Sequence, residues 1–166
     1  MATSMNPEPR QIFLLIFLAC AGLLGYAFYL QEVKHLLPCP LCVAQRLAYW
    51  LVGLTALLAF LHNPLTMVRR IYSALLAALS LAGALVALRH VWLIRHENAF
   101  ECGISIEERF MNALPFAKWW PAMFEANGDC ALVTWKFMLL AMPDWSLVCF
   151  VIFAGLAVYV FFTRHA

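Results

Sequence analysis

The chain has 166 residues, of which 65% are hydrophobic and 12% charged, with a formal net charge of +2; soluble domains run at about 45–50% apolar and about 25% charged. So few polar residues cannot cover a soluble fold of this size, and no basic tract is present to hold a nucleic acid. Composition therefore excludes an ordinary soluble enzyme, a disordered chain and a nucleic-acid binder, and points to an integral protein of the lipid bilayer.

Arg10 precedes the first charge-free run, Ile12 to Leu30, long enough for a hydrocarbon core that takes about 20 helical residues. The run is too long for the apolar part of a signal peptide and lacks a small-residue exit, so it reads as an anchor. Pro38 and Pro40 punctuate the link at 31–40, and a second span is expected at 41–61. Of that span only Leu47 to Leu61 is uncharged, which places Arg46 inside the end of a membrane helix. A guanidinium there either snorkels to the interface or has a local task. His62, Asn63 and Pro64 end the span, and the third is expected at 71–88, between Arg70 and Arg89. A long loop, 89–144, leads through Pro143 to the fourth span at 145–162.

These elements predict an all-α fold, a four-transmembrane-helix bundle forming a single membrane domain over 1–166. Four spans put both termini on one side, together with Arg10, Arg69, Arg70 and Arg164. The short Arg69-Arg70 loop assigns that side to the cytoplasm and the segments 31–40 and 89–144 to the outside. Within the long loop Ile106, Phe110 and Leu114 recur at helical spacing with Glu107, Glu108 and Arg109 between them, the pattern of a helix lying on a surface. Trp119, Trp120 and Trp135 suit the membrane interface. A small folded cap with its own core is the other reading of this loop.

Of the six cysteines, Cys20 and Cys149 fall inside spans, where a thiol packs as a small hydrophobe. Cys39, Cys42, Cys102 and Cys130 fall on the outer side, where disulfides persist. Cys39-Pro40-Leu41-Cys42 is a C-x-x-C whose Pro40 fits the first turn of a helix. Cys42 then lies near the positive helix N-terminus, and Arg46 follows four residues on, one turn deeper on the same face. Dipole and cation together would stabilise a Cys42 thiolate and make the disulfide a strong oxidant. A lone C-x-x-C is otherwise half a zinc site, but the remaining cysteines and His35, His90 and His96 lack ligand spacing, so no metal is expected. A Cys102–Cys130 bridge could be a structural staple worth roughly 3 kcal/mol or one stage of a redox relay. Two outer cysteine pairs, one in a loop and one at a lipid boundary, suggest electrons entering from a soluble thiol protein and leaving into a lipid-soluble acceptor, a quinone.

The order of these features resembles one family. A first span, C-x-L-C with Arg46 four residues after the second cysteine, and two spans lead to Cys102-Gly103 and Gly128-Asp129-Cys130-Ala131. Trp135-x-Phe137 and Met142-Pro143-x-Trp145 follow. This arrangement is similar to DsbB, the bacterial disulfide bond formation proteins, across nearly the whole chain. Ile104 and Leu139 stand where that family often has Pro and Gly. The resemblance implies a four-helix inner-membrane enzyme that reoxidises a periplasmic thioredoxin-fold oxidase of the DsbA type and passes electrons to ubiquinone or menaquinone. By position, Cys102 would take the partner's attack and Cys130 complete the loop pair. Cys39 would exchange with Cys130, and Cys42 would reduce the quinone with Arg46 assisting at the ring. His90 matches a position near the quinone, its alternative being a solvated interfacial histidine. A vitamin K epoxide reductase-like protein would carry its C-x-x-C late in the chain. A non-enzymatic tetraspan protein with structural disulfides would leave Arg46 without a purpose, and a metal transporter would need more polar groups in its spans than Thr55 and Ser80.

Overall fold

A computed structural model of the chain describes residues 8–35, 38–95, 113, 119, 121–124, 126, 136–137 and 140–163. Four long helices dominate it: α1 Pro9–Lys34, α2 Pro40–His62, α3 Thr66–Arg95 and α5 Met142–Phe162. All four are long and apolar enough to cross a membrane, and each contains one of the charge-free runs. A single short turn, α4 Pro121–Phe124, and a two-stranded antiparallel ladder complete the described elements. In the ladder β1 Lys136–Phe137 pairs with β2 Leu140–Ala141, with Lys136 opposite Ala141. The surface helix expected around 106–114 lies outside the described residues, apart from the exposed helical Ala113.

Local chemistry sets the ends. Proline opens α1 and α2 at the first turn, where its missing N–H is no loss. α1 stops at His35 and α2 at Asn63, both in the left-handed region (φ 53° and 41°), and the Asn63 N–H returns to the Ala59 carbonyl at 3.2 Å. At the start of α5 the Asp144 carboxylate accepts the Ala141 N–H at 3.0 Å while also meeting Arg95 of α3 at 3.1 Å.

Short connections make neighbouring helices antiparallel. α2 sits between α1 and α3, α5 packs most extensively on α3, and α1 meets α5 only sparsely. The buried face of α3 is small and slightly polar, with Ser73, Ser80, Gly83, Ala84 and Ala87, as membrane helices require for close approach. Gly83 is essential to that approach, because a Cβ there would lie 2.6 Å from the Phe150 ring of α5. Phe150 is fully buried and stacks on Tyr49 of α2 with ring centroids 4.3 Å apart, so one aromatic pair joins three helices. Outward-facing Leu15, Leu58, Leu85 and Val151 are exposed along the bundle, a surface suited to lipid.

At one end Arg69 donates to the Thr163 carbonyl at 2.9 Å, Arg10 lies over Phe60 and Arg70 over Phe161. The C-x-x-C lies at the opposite end, where α2 begins.

Candidate functional site

The two sulfurs of the C-x-x-C are placed by one helix start. Cys39 has extended backbone at the N-cap of α2, and its Sγ accepts the Cys42 N–H at 3.3 Å. It thus takes the capping role that a Ser or Asp oxygen usually fills. Pro40 starts the helix and one turn returns Cys42 beside it, so that Cys39 Sγ donates to Cys42 Sγ at 3.1 Å. Both are free thiols here. Cys39 is buried and Cys42 half-buried, among Leu41, Leu93 and Val86. Its bond to Cys42, followed by burial, pushes the Cys39 thiol far above the ordinary cysteine range; Cys39 keeps its proton, and Cys42 is the acceptor.

Two basic side chains complete the cluster. Arg46 is 8% exposed and lies within electrostatic reach of both sulfurs. Its Nη1 donates to Gln31 Oε1 of α1 at 2.8 Å and to the Met123 carbonyl of α4 at 3.1 Å. Two neutral oxygens, from α1 and α4, thus hold the buried guanidinium in place beside the sulfurs. His90 of α3 is 3% exposed, which removes the reading of a solvated interfacial histidine. Its Nε2 lies 3.7 Å from Cys39 Sγ, and its Nδ1 lies 3.2 Å from Gln45 Nε2. With the Gln45 amide donating, Nδ1 is an acceptor and the neutral ring carries its proton on Nε2, facing Cys39.

The structure thus gathers Cys39, Cys42, Arg46 and His90, all singled out in the sequence. Cys102 and Cys130 lie outside the described residues. Gln31, Gln45 and Met123 were missed; for Gln45 the available signal is an amide at a helical position expected to be buried. Cys20 and Cys149 remain free thiols, Cys20 in the core against Gly53. Donor atoms of Cys39, Cys42 and His90 lie within 4.8 Å of one another, close enough to converge on an ion. A structural zinc site takes four such donors, and no fourth joins them among the described residues.

The description that fits this geometry is also found by comparison. The family model for disulfide bond formation protein DsbB matches residues 9–160. A disulfide bond formation protein B of Nitrosospira multiformis is 62% identical over 165 residues, covering 99% of this chain and 98% of the relative. Another from Aromatoleum aromaticum is 43% identical over 150 residues, covering 90% of each. Disulfide bond formation protein B 1 of Pseudomonas aeruginosa is 41% identical over 159 residues, covering 95% of this chain and 97% of that one. The chain belongs to the DsbB family, a multi-pass membrane protein whose family implies a disulfide-generating oxidoreductase.

Proposed function

We propose that the protein is an inner-membrane thiol:quinone oxidoreductase that reoxidises a periplasmic thioredoxin-fold dithiol oxidase of the DsbA type. The observation that carries this reading is the buried cluster at the start of α2: two sulfurs 3.1 Å apart, one retaining its proton, with His90 and Arg46 beside them at a membrane boundary. Arg69 and Arg70 in the short α2–α3 link favour a cytoplasmic location for that end, which leaves the cysteines on the periplasmic side.

In the proposed cycle the partner's two thiols reduce a Cys102–Cys130 disulfide and become a disulfide themselves. Cys102 takes the first attack. Those two thiols are then reoxidised by the Cys39–Cys42 disulfide, with Cys39 exchanging with Cys130, which leaves Cys39 and Cys42 reduced. The electron acceptor, ubiquinone or menaquinone, takes two electrons and two protons as this pair closes again. Cys42 is the sulfur aimed at the acceptor, because Cys39 holds its proton and the α2 N-terminus and Arg46 favour negative charge on Cys42. Arg46, positioned by Gln31 and Met123, offers further N–H donors to a ring oxygen. His90 Nε2–H, 3.7 Å from Cys39 Sγ, lies where it can donate to that sulfur and steady negative charge on it as it changes state.

Purified protein given a reduced thioredoxin-fold dithiol oxidase should consume one quinone per dithiol oxidised, and Cys42→Ser should abolish consumption. Oxidation of the dithiol without matching loss of quinone would contradict this reading.

A further inference from the structure

The reduced C-x-x-C and His90 bring three soft donors to one point: Cys39 Sγ, Cys42 Sγ and a ring nitrogen of His90 lie within 4.8 Å of one another. Two come from one turn of α2 and the third from α3, 51 residues after Cys39, which is why no ligand spacing shows in the sequence. Metal–sulfur bonds of ~2.3 Å and metal–nitrogen bonds of ~2.0 Å, at the angles of a three- or four-coordinate ion, set a sulfur–nitrogen edge of roughly 3.6–3.8 Å. Cys39 Sγ and His90 Nε2 are 3.7 Å apart, so that edge is already in place. The matching sulfur–sulfur edge is roughly 3.8–4.0 Å, against 3.1 Å in the thiol pair. That shorter contact is a hydrogen bond through a thiol proton; once both sulfurs are thiolates it is lost, and a small rotation of the Cys42 side chain makes up the difference. Cys42 is half-buried where Cys39 and His90 are buried, so its side is the way in for an ion.

We infer that Cys39, Cys42 and His90 form a three-donor site for copper(I) in the reduced protein. Two arguments select a soft monovalent ion over zinc. Zinc takes a fourth ligand, which here would be a water set among Leu41, Val86 and Leu93, whereas two thiolates and an imidazole suffice for copper(I). Charge points the same way. Arg46 is 8% exposed and within electrostatic reach of both sulfurs. Two thiolates around a monovalent ion leave one negative charge, which the guanidinium balances; around zinc they leave none, and the buried cation goes unmatched. Ligation uses the Nε2 lone pair, so the ring proton moves to Nδ1. The Gln45 amide, 3.2 Å from Nδ1, then turns its oxygen to accept that proton, as the outer partner of a ligating histidine does. The protons on the two sulfurs leave to solvent, and nothing is oxidised or reduced. A Cys39–Cys42 disulfide has no thiolate to offer, so only the reduced pair binds the ion. Under the function proposed above, copper(I) therefore holds the pair reduced and stops electron flow through it.

The test takes Cys102→Ser/Cys130→Ser protein in detergent, chemically reduced, anaerobic and free of quinone, and titrates it with copper(I) in competition with bicinchoninate. It should bind one equivalent more than the same protein carrying Cys39→Ser and Cys42→Ser, which keeps Cys20 and Cys149. X-ray absorption of that equivalent should show two sulfurs and one nitrogen. Gln45→Ala should weaken binding about tenfold, and His90→Ala should weaken it further and remove the nitrogen. The bound ion should protect Cys39 and Cys42 from alkylation until a copper(I) chelator is added. Equal uptake with and without Cys39 and Cys42, a shell of sulfur alone in the protein that retains His90, or zinc that equimolar copper(I) does not displace would overturn the assignment. None of these measurements involves an electron acceptor. A protein that binds copper(I) in this way but reduces no quinone would overturn the proposed function and leave the metal site standing.

Discussion

At the residue scale, the hydrogen bond from Cys39 to Cys42 makes the two thiols of one motif unequal. Cys39 is held protonated by its bond to Cys42 and by burial, so in the reduced protein it should alkylate only at strongly alkaline pH. Cys42→Ala removes the acceptor, and the pH profile of Cys39 alkylation should move towards neutrality; an unmoved profile would assign the whole effect to burial. Arg46→Ala leaves Gln31 Oε1 and the Met123 carbonyl without their donor. Apparent quinone affinity should then fall by about 1.5–3 kcal/mol, the worth of a charged hydrogen bond, while attack of a partner dithiol on Cys102 continues at the parental rate. Lys at 46 should restore part of the affinity, because it keeps the charge but not the planar fork. Matching affinities in Arg46→Ala and the parent would reduce Arg46 to an interfacial anchor. The cysteine motif and the misplaced cation were legible in the sequence because both violate what a membrane helix tolerates. Gln45 and Gln31 were not, since each acquires its meaning only when another helix delivers a partner, His90 of α3 for Gln45 and Arg46 of α2 for Gln31.

At the element scale, the bundle depends on a few close approaches. Gly83→Ala would place a methyl group 2.6 Å from the Phe150 ring and should lower stability in detergent by about 1–3 kcal/mol, as overpacking does. Adding Phe150→Leu should recover much of the loss in a thermal unfolding series, and a Gly83→Ala protein as stable as the parent would show that α3 and α5 can separate freely. The helices themselves were legible because long charge-free runs have no other use, and Pro40, Pro64 and Pro143 mark their ends. Their full lengths were less so: α3 continues to Arg95, with Arg89 exposed and His90 turned inward against Cys39 and Gln45. The β1–β2 ladder was not foreseen, because strands of two residues carry no periodicity.

At the scale of the whole molecule, apolar depth separates the end that carries Arg10, Arg69 and Arg70 from the thiol end, and the proposed electron transfer is confined to the latter. In a background without native cysteines, Lys34→Cys in intact spheroplasts should react with a membrane-impermeant maleimide, and Leu65→Cys should react only after lysis. The reverse pattern would invert the proposed orientation. The most direct test isolates the cluster that the fold assembles. A Cys102→Ser/Cys130→Ser protein, with Cys39 and Cys42 chemically reduced and then mixed anaerobically with a quinone, should reduce one quinone per protein and form the Cys39–Cys42 disulfide. A quinone that stays oxidised while both thiols remain alkylatable would contradict the assignment of Cys42 as the point where electrons leave the protein.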